Sequence, residues 1–555
     1  MEALGGNLRA MIGRNPLAAL LIFCVIAWLP GFFTLPPLDR DESRFAQASK
    51  QMLETGDFVN INLGGVPRYE KPVGIYWMQA ATTAALGAGA QDKIWTYRVP
   101  SLLGALAAVA ATFFLVRAFA GVQAGFWAGM LLGFSVLLMS EAKIAKTDAF
   151  LLGTIVVVQA VLMRAYLAAR EPQRFAPPGL RLALVGWAAF GLGVLVKGPV
   201  VLLVSGATIV VLSLWDRDLR WLGRLRAGSG VLVALAIVLP WAIAIGIASG
   251  GAFYQKSLGG DFAMKLIGEQ EAHGAPPGYY LALAHLTFWP ASFALLPALV
   301  LGFVRRKEPA IRFLLVWVVT TWLMFEIAPT KLPHYVLPAY PALAALAALW
   351  LTGRQAESQG QRIARFISLG FYVLVALALT GFLAWAPQRF GDSVPWWLYA
   401  GSAAGAFVAL SVIALPNRSM RAGAACLGAF LLYMVAGFAT VPRLNEIWLS
   451  PRMAEAVARH AAAGDPPVVT AGYAEPSITF LLGTATGLDD GPTAGAATAA
   501  KGGLALVDSS EGPRFLDAVA AGGARADALE EIEGLNYSRG RATHITLYRV
   551  TPLSR

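Results

Sequence analysis

Three carboxylates stand close together directly behind the first hydrophobic run of the sequence. They are Asp39, Asp41 and Glu42. Carboxylates at the mouth of a membrane helix are costly to keep there, so their presence predicts a functional site. A structural alternative is that one of them caps the start of an interfacial helix, as aspartate often does. Capping accounts for one acid but not for three together, which favours a site.

Basic and acidic residues also lie near the ends of later hydrophobic runs. Lysine and histidine can neutralise a leaving phosphate, while carboxylates can orient an acceptor or stabilise positive charge that develops at a sugar carbon. Together these residue types suit transfer of a sugar from a lipid-linked phosphate, although each cation alone could instead reach toward lipid headgroups. Spacing does not tell which group does which. The cations are Lys71, Lys146, Lys256, Lys331 and His334, and the acids are Asp41, Glu42, Glu70 and Asp148.

The composition is that of a polytopic membrane protein. Hydrophobic residues make up 57% of the 555 residues and charged residues only 14%, so lipid must surround most of the chain. The formal net charge of +11 predicts basic cytoplasmic loops and binding to anionic lipids rather than to nucleic acid. Cys24 and Cys426 each lie inside an apolar run, so neither a metal site built from cysteines nor a structural disulfide is expected.

About thirteen apolar runs are long enough to cross roughly 30 Å of hydrocarbon. The first is too long for the core of a signal peptide and has no small-residue cleavage site behind it, so we expect an uncleaved anchor. One further stretch, Val73–Ala90, is also long enough to cross but is rich in Gly, Ala and Thr and begins beside Glu70 and Lys71. The thirteen runs are 16–36, 98–118, 121–140, 148–168, 181–197, 199–216, 228–248, 281–304, 311–328, 335–353, 364–386, 396–415 and 420–441.

The distribution of arginine indicates whether Val73–Ala90 crosses the membrane. If it does not cross, the basic clusters all fall on one side, as the positive-inside rule requires. If it crosses, every later basic loop moves outward while the amino-terminal Arg9 and Arg14 stay inside. We therefore predict a juxtamembrane or re-entrant helix on the non-cytoplasmic face, which places the charged loops described above on that face. The later basic clusters are Arg117, Arg164 to Arg174, Arg217 to Arg226, Arg305 to Lys307, Arg354 to Arg365, and Arg418 with Arg421.

The hydrophobic character drops after Val441. We predict a transmembrane domain over residues 1–441, with a first outer loop at 37–97 that carries juxtamembrane helices, and a small soluble α/β domain over residues 442–555. Because thirteen spans is an odd number, the soluble domain should lie on the outer side. The Gly-, Ala- and Thr-rich stretch 483–503 is predicted to be a loop. Three short runs of β type support the domain assignment: Val468–Gly472, Leu504–Val507 and Thr543–Tyr548.

Six short motifs follow one another along the sequence, all on the predicted outer face. They are Asp41–Glu42; Tyr69–Val73; Ala145–Asp148; Val196–Pro199; His273 with Pro276–Tyr280 and Phe288–Pro290; and Thr330–Pro338. Singly these motifs are unspecific. In this order they resemble the protein O-mannosyltransferase branch of the membrane glycosyltransferase C fold, and within that branch most closely the lipid A aminoarabinose transferases.

The resemblance implies an all-α polytopic enzyme of the bacterial inner membrane with its active site on the periplasmic side. Such an enzyme moves 4-amino-4-deoxy-L-arabinose from undecaprenyl phosphate to lipid A phosphates with inversion. The added amine lowers the attraction of cationic antimicrobial peptides such as polymyxin. We expect a monomer that requires no cofactor, with membrane lipids, the lipid-linked donor and lipid A as partners.

The resemblance also implies roles for individual residues. Asp41 takes the place of the essential acid of the first outer loop, with Glu42 beside it, and Lys71 resembles the ligand of the carrier phosphate. Glu70 and His273 are a candidate pair for an adventitious cation. The complete expected sets are Asp41, Glu42 and Asp148 for catalysis; Lys71, Lys146, Lys256, Lys331, His334 and Tyr335 for the donor phosphate; and Tyr69, Glu70, His273 and Tyr279 for the substrate pocket.

Two other functions fit parts of the sequence. An enzyme of the protein O-mannosyltransferase type would accept a hydroxyl group, and Asp41 would then have to act as a base. A phosphate monoester is already anionic near neutral pH, so with that acceptor Asp41 would orient the acceptor or hold the cationic aminosugar. A lipid transporter or flippase would also carry charges in a membrane protein, but it would place them near the bilayer midplane. Few ionisable residues lie within the predicted spans apart from Glu326, near a helix end.

Overall fold

Apolar helices form most of the computed structural model, which describes residues 13–257, 275–354, 356–391 and 394–553. Within those residues, nine helices are long and apolar enough to cross a membrane, and four shorter apolar helices accompany them. Together they coincide with the thirteen apolar runs of the sequence. The all-α polytopic fold predicted from the composition is therefore confirmed, although several spans are shorter than the apolar runs that contain them.

The helical part contains eighteen helices and one small hairpin among the described residues. Its elements are α1 (Pro16–Trp28), α2 (Asp41–Thr55), β1 (Asn62–Leu63), β2 (Val66–Pro67), α3 (Gly74–Ala85), α4 (Ile94–Ala120), α5 (Val122–Gly133), α6 (Val136–Glu141), α7 (Asp148–Arg170), α8 (Leu180–Lys197), α9 (Val200–Asp216), α10 (Ala227–Ala248), α11 (Ala252–Tyr254), α12 (Tyr279–Thr287), α13 (Leu295–Val304), α14 (Pro309–Ile327), α15 (Tyr340–Thr352), α16 (Gln359–Phe390), α17 (Trp396–Leu410) and α18 (Arg418–Val435).

The stretch Val73–Ala90 forms the short helix α3 followed by a 3-10 turn. The 12 residues of α3 rise only about 18 Å, which is less than the hydrocarbon thickness. This length agrees with the prediction that the stretch does not cross.

The predicted span 281–304 is not one helix, contrary to expectation. It is divided into α12 and α13 by the four-residue 3-10 segment Ala291–Ala294. Pro290 stands at the break, and a proline cannot donate the backbone hydrogen bond that a continuous helix needs. The Trp289 carbonyl at this break instead accepts a hydrogen bond from the Val136 amide at 2.8 Å.

Close packing of α4 on α7 holds the beginnings of these two helices side by side. A Cβ atom at Gly104 would lie 2.3 Å from the Cα of Phe150, so only glycine permits this approach. The Ser101 hydroxyl of α4 donates to the Lys146 carbonyl at 3.1 Å, just before α7. The packing therefore fixes the segment that leads into Asp148.

The chain after residue 448 folds into a five-stranded sheet with helices, which confirms the predicted soluble α/β domain. The strand order is β4-β3-β5-β7-β6, with β3 parallel to β4 and β5, and β7 antiparallel to β5 and β6. The elements are α19 (Leu449–His460), β3 (Val469–Ala471), α20 (Pro476–Leu482), β4 (Gly487–Asp489), α21 (Gly491–Lys501), β5 (Gly503–Asp508), α22 (Gly512–Ala521), β6 (Ala524–Asn536) and β7 (Arg541–Pro552).

The stretch 483–503 was expected to be a loop, and that expectation is wrong. It contains strand β4 and the 11-residue helix α21. Asp490 caps α21 by accepting a hydrogen bond from the Thr493 amide at 2.9 Å. Because alanine is the best helix former and Asp a good cap, the composition of this stretch suits a helix once a sheet is present to pack against.

Candidate active site

Glu42 and Arg98 form a fully buried ion pair under the first outer loop. Arg98 Nε lies 2.8 Å from Glu42 Oε1 and Arg98 Nη2 lies 2.9 Å from Oε2, and neither side chain is exposed to solvent. The same carboxylate accepts hydrogen bonds from the amides of Leu38 at 3.0 Å and Ala145 at 2.8 Å. Arg98 also donates to the Phe32 carbonyl at 2.9 Å. The pair thus ties together the loop, α2, α4 and the segment before α7.

Glu42 was expected to be catalytic, and that role stays a prediction. The structure shows its carboxylate without accessible surface and with both oxygens bonded, at the start of α2 beside Asp41.

Asp41 is the first residue of α2 and is exposed to solvent. The capping alternative does not hold here, since the cap position is Arg40 and no side chain bonds to the helix start. Burial lowers the pKa of the Arg68 guanidinium, but Tyr76, Glu70 and Asp41 together raise this pKa above its usual value. Asp41 is therefore an accessible carboxylate within electrostatic reach of a buried cation.

Lys146 is a second cation within electrostatic reach of Asp41. The Lys146 ammonium lies 3.0 Å from Glu141 Oε1 and 3.7 Å from Asp148 Oδ2. Burial lowers the pKa of Lys146, but Glu141 and Asp148, followed by Asp41, outweigh burial and raise this pKa. The Arg68 guanidinium and the Lys146 ammonium thus both lie within electrostatic reach of Asp41.

Asp148 is the centre of a nearly buried cluster of charges at the start of α7. Lys197 Nζ donates to Asp148 Oδ1 at 2.5 Å, and His334 Nε2 lies 3.9 Å from Oδ2. His334 Nδ1 also lies 3.5 Å from Lys146 Nζ. We call the set Glu141, Lys146, Asp148, Lys197 and His334 the Asp148 cluster. Its two lysines balance its two carboxylates when both acids are ionised and His334 is uncharged, although burial raises the pKa of Glu141 to about 7.

The structure brings three of the predicted site residues together. Lys146 and His334 were expected to bind the donor phosphate, and Asp148 to act in catalysis; these roles stay predictions. Their side chains contact one another, and Asp148 and Lys146 are each only 8% exposed. Tyr335 lies beside the same cluster, since the Lys197 ammonium is 5.7 Å from its ring centre.

The motif around Glu70 and Lys71 directly follows the β1–β2 hairpin. The β1–β2 hairpin places Arg68, whose Nη2 lies 3.0 Å from Glu70 Oε2. The Glu70 side chain is 39% exposed, and Lys71 is half-buried beside it. Tyr69 packs its ring against Phe253, with 5.9 Å between the ring centres. Glu70, Lys71 and Tyr69 therefore remain candidates for substrate contact.

Three further candidates lie on the later outer segments. The Lys331 ammonium donates to the Ala275 carbonyl at 3.0 Å and is half-buried. Tyr279 stands at the start of α12 and packs edge to face on Tyr280. Lys256 is exposed. His273 lies outside the described residues.

Three residues that complete the site were not assigned from the sequence. Lys197 stands in the Val196–Pro199 motif but received no role. Arg98 begins an apolar run at its outer end, against the positive-inside trend, and this position was a usable signal. Glu141, likewise, ends the run 121–140 with a charge.

The soluble domain contacts the loop that leads into Asp41. The Tyr537 hydroxyl accepts a hydrogen bond from the Asp39 amide at 2.7 Å, and Arg40 Nη2 donates to the Ser538 carbonyl at 2.5 Å. The Ser477 hydroxyl donates to the Asp39 carboxylate. Arg40 has a φ of 64°, a left-handed conformation that residues other than glycine rarely adopt. The soluble domain therefore holds an unusual backbone turn directly before Asp41.

Metal binding has no support from the residues that the structure describes. Among them, no group of three or more His, Cys, Asp or Glu side chains could hold a metal ion. Glu70 pairs with Arg68, and the suggested pairing of Glu70 with His273 stays a prediction because His273 is outside the described ranges.

Similar sequences are known among membrane sugar transferases. A family model described as dolichyl-phosphate-mannose-protein mannosyltransferase matches residues 16–256. The undecaprenyl phosphate-alpha-4-amino-4-deoxy-L-arabinose arabinosyl transferase of Pseudomonas paraeruginosa is 30% identical over 363 residues, which cover 63% of this chain and 63% of that protein. The protein of the same name from Aeromonas salmonicida is 28% identical, with 65% of this chain and 66% of the relative covered. The match thus spans a little under two thirds of each relative.

A solved structure extends the likeness over nearly the whole chain. The crystal structure of ArnT from Cupriavidus metallidurans bound to undecaprenyl phosphate superposes with a TM-score of 0.74 and 19% identity, covering 97% of this chain and 99% of that one. This likeness defines the class: the chain is a polytopic membrane protein with the glycosyltransferase C fold. Within that class, the resemblance to aminoarabinose transferases that the six motifs predicted is confirmed by the sequence comparisons.

Proposed function

We propose that this protein transfers 4-amino-4-deoxy-L-arabinose from undecaprenyl phosphate to a phosphate group of lipid A, with inversion at the sugar carbon. The names of the similar proteins support the donor and the sugar. The observation that carries the proposal is the accessible carboxylate of Asp41 within electrostatic reach of two buried cations, Arg68 and Lys146. In this proposal the protein lies in the bacterial inner membrane and the site faces the periplasm.

Asp41 orients the reacting groups rather than removing a proton. A phosphate monoester is already an anionic nucleophile near neutral pH. A fixed carboxylate can instead hold the cationic amine of the sugar and stabilise positive charge that develops at the sugar carbon. Arg68 and Lys146 lie within electrostatic reach of this carboxylate.

Lys71 and Lys331 hold the carrier phosphate. The lysines of the Asp148 cluster are already balanced by Glu141 and Asp148, so the phosphate needs cations from elsewhere. Lys71 and Lys331 are half-buried at the same face. Because lysines neutralise the leaving group, this chemistry requires no cofactor, and a monomer contains the whole site. Activity that survives treatment with a chelator such as EDTA is expected.

Mass spectrometry of lipid A tests the function directly. Cells that express the chain should gain lipid A with one or more aminoarabinose groups, and cells that express Lys71→Ala or Lys331→Ala should gain much less. Lys93→Ala is the matched control, because Lys93 is an exposed lysine of the same first outer loop. Unmodified lipid A in cells with the wild-type chain, inserted normally, would refute the function. Full modification by both lysine variants would refute only their assignment.

A protein O-mannosyltransferase activity is the second candidate, because the family model that matches residues 16–256 carries that description. The acceptor would then be a hydroxyl group, and Asp41 would act as its base. Modified protein together with unmodified lipid A in the same cells would favour this alternative.

A further inference from the structure

Four arginines line a cavity on the membrane face opposite Asp41. The cavity has a volume of about 440 Å³ and lies between the beginnings of α16 and α18. Helix α15 shows that this cavity lies on the opposite face. The helix begins after the turn that holds His334, and its 13 residues extend about 20 Å to Thr352, near the cavity. We call the set Arg362, Arg365, Arg418 and Arg421 the arginine pocket.

The arginine pocket has more positive charge than its own residues neutralise. Glu357 is the one acid that lines it, and this carboxylate lies 3.1 Å from Arg365 Nε and 3.2 Å from Arg418 Nη2. The side chains of Arg365 and Arg418 are only 18% and 23% exposed. Partly desolvated charges of one sign are costly without a counter-ion, so the pocket is suited to an anion.

The orientation of the backbone adds to this positive potential. Helix α16 begins at Gln359 and helix α18 at Arg418, so two amino-terminal helix ends point toward the cavity. Helix amino-termini carry partial positive charge and favour phosphate groups. A guanidinium group can donate two parallel hydrogen bonds to two oxygens of one phosphate.

An apolar groove continues from the arginine pocket toward the lipid. A neighbouring cavity of about 470 Å³ shares Ala356 and Arg418 with the pocket. Its apolar side is lined by Leu301, Val304, Leu349 and Trp350, and its polar side by Arg305, Arg354, Ser358 and Gln361. Val304 is 61% exposed, so the groove opens to the side where hydrocarbon chains lie. A cationic pocket beside an apolar groove matches a molecule with a phosphate head and a hydrocarbon tail.

We propose that the arginine pocket binds the phosphate of an anionic phospholipid whose acyl chain lies in the adjoining groove. The site is separate from the sugar transfer site and does not depend on the proposed function. Basic pockets between helices on the arginine-rich face of membrane proteins are suited to such headgroups. The shared chemistry is a phosphate group, which could also come from free inorganic phosphate.

Native mass spectrometry of the purified full-length protein in detergent tests the proposal. Phosphatidylglycerol, phosphatidylcholine and inorganic phosphate are titrated separately. Saturable binding of phosphatidylglycerol, at least tenfold tighter than that of phosphatidylcholine, is expected for the wild type. Inorganic phosphate that competes with phosphatidylglycerol would indicate that the phosphate group alone is recognised, whereas failure to compete would indicate that the lipid is the ligand.

Variants locate the binding site. Arg362→Gln with Arg421→Gln should weaken phosphatidylglycerol binding at least tenfold, and this pair leaves both contacts of Glu357 intact. Arg220→Gln with Arg226→Gln is the matched control, since it removes the same charge from exposed positions on the same face. If the double variant folds poorly, the single variant Arg362→Glu, at an exposed position, should still weaken binding. Equal affinity for the two lipids, or equal binding by the pocket and control variants, would overturn the proposal.

Discussion

Asp41 and Glu42 are adjacent carboxylates whose surroundings give them different roles. Asp41 is exposed at the start of α2, while Glu42 is fully buried against Arg98. Because one residue along a helix turns the side chain by about 100°, neighbouring acids can face the solvent and the protein interior respectively. The sequence predicted that this cluster is a site, but it could not distinguish the exposed acid from the buried one.

Replacement of Asp41 by asparagine keeps the size of the side chain and removes its charge. Asp41→Asn should insert and purify normally yet transfer sugar about 100-fold to 1000-fold more slowly, the scale of one preorganised electrostatic contact. Transfer to lipid A by purified protein measures this rate. Asp92→Asn is the control, since Asp92 is an exposed acid of the same outer loop. A transfer rate like that of the control would remove Asp41 from the catalytic residues.

Replacement of Glu42 by glutamine should act on stability instead. The change leaves the Arg98 guanidinium buried without its partner, which costs about 3 to 5 kcal/mol of unfolding free energy. A clearly lower thermal unfolding midpoint or yield is expected. Glu446→Gln breaks the exposed pair with Arg389 and should cost about 1 kcal/mol or less. Equal losses in the two variants would contradict the structural role of Glu42.

Contacts between the soluble domain and the first outer loop join secondary-structure elements that are far apart in the sequence. The sheet places Tyr537 and Ser538 at the turn between β6 and β7, where they bond to Asp39 and Arg40. The hydrophobic pattern of the tail predicted β3, β5 and β7, but neither β4, β6 nor this docking. Contacts between segments so far apart in sequence depend on tertiary packing, which no local pattern contains.

Tyr537→Phe removes the hydroxyl that accepts from the Asp39 amide. The turn before Asp41 would lose one restraint, so the transfer rate should fall several-fold while the apparent affinity for the donor and the unfolding midpoint change little. Tyr548→Phe is the matched control in the same sheet, where the ring packs on Phe515. No difference in rate between the two variants would show that the docking does not position Asp41.

The same docking contact should depend on pH. Burial raises the pKa of Asp39 to about 6, against an opposing hydrogen bond from Ser477. Between pH of about 4 and 6 the folded chain then binds more protons than the unfolded chain, so stability falls as pH rises through this range. Asp39→Asn removes this loss and should stabilise the protein at pH 7.5 by on the order of 1 to 3 kcal/mol, and less at pH 4.5. Thermal unfolding at both pH values measures the difference; an equal effect at both would contradict the assignment.

The membrane part shows what hydrophobicity predicts and what it omits. All thirteen apolar runs contain helices because lipid forces the backbone to satisfy its own hydrogen bonds. The pairing of Asp148 with Lys197 was not predicted, since these residues lie 49 positions apart on different helices. The break of the span 281–304 was also missed, although Pro290 marked it. Exposure to lipid constrains the length and composition of the membrane helices, whereas the pairing of charged side chains between helices depends on how the helices pack.

The one-sided distribution of arginine predicts the topology of the whole molecule. A single cysteine at Ser510 in the soluble domain should react with an impermeant thiol reagent on intact spheroplasts, and one at Arg226 should not. The native Cys24 and Cys426 are buried and should label poorly, so they can remain as the unreacted background. Labelling of Arg226→Cys without labelling of Ser510→Cys would reverse the orientation.

The docking of the soluble domain on the first outer loop can form only late in synthesis of the chain. The hydrogen bond between Asp39 and Tyr537 joins positions 498 residues apart. At roughly 5 to 20 residues per second, a ribosome needs about 25 to 100 s to cover that distance. Strand β7 lies between β5 and β6, so the sheet itself is incomplete until residues 541–552 have been made. The turn before Asp41 therefore lacks its contacts with Tyr537 and Ser538 until those residues have been synthesised, and the sheet that carries them is complete only once β7 has followed.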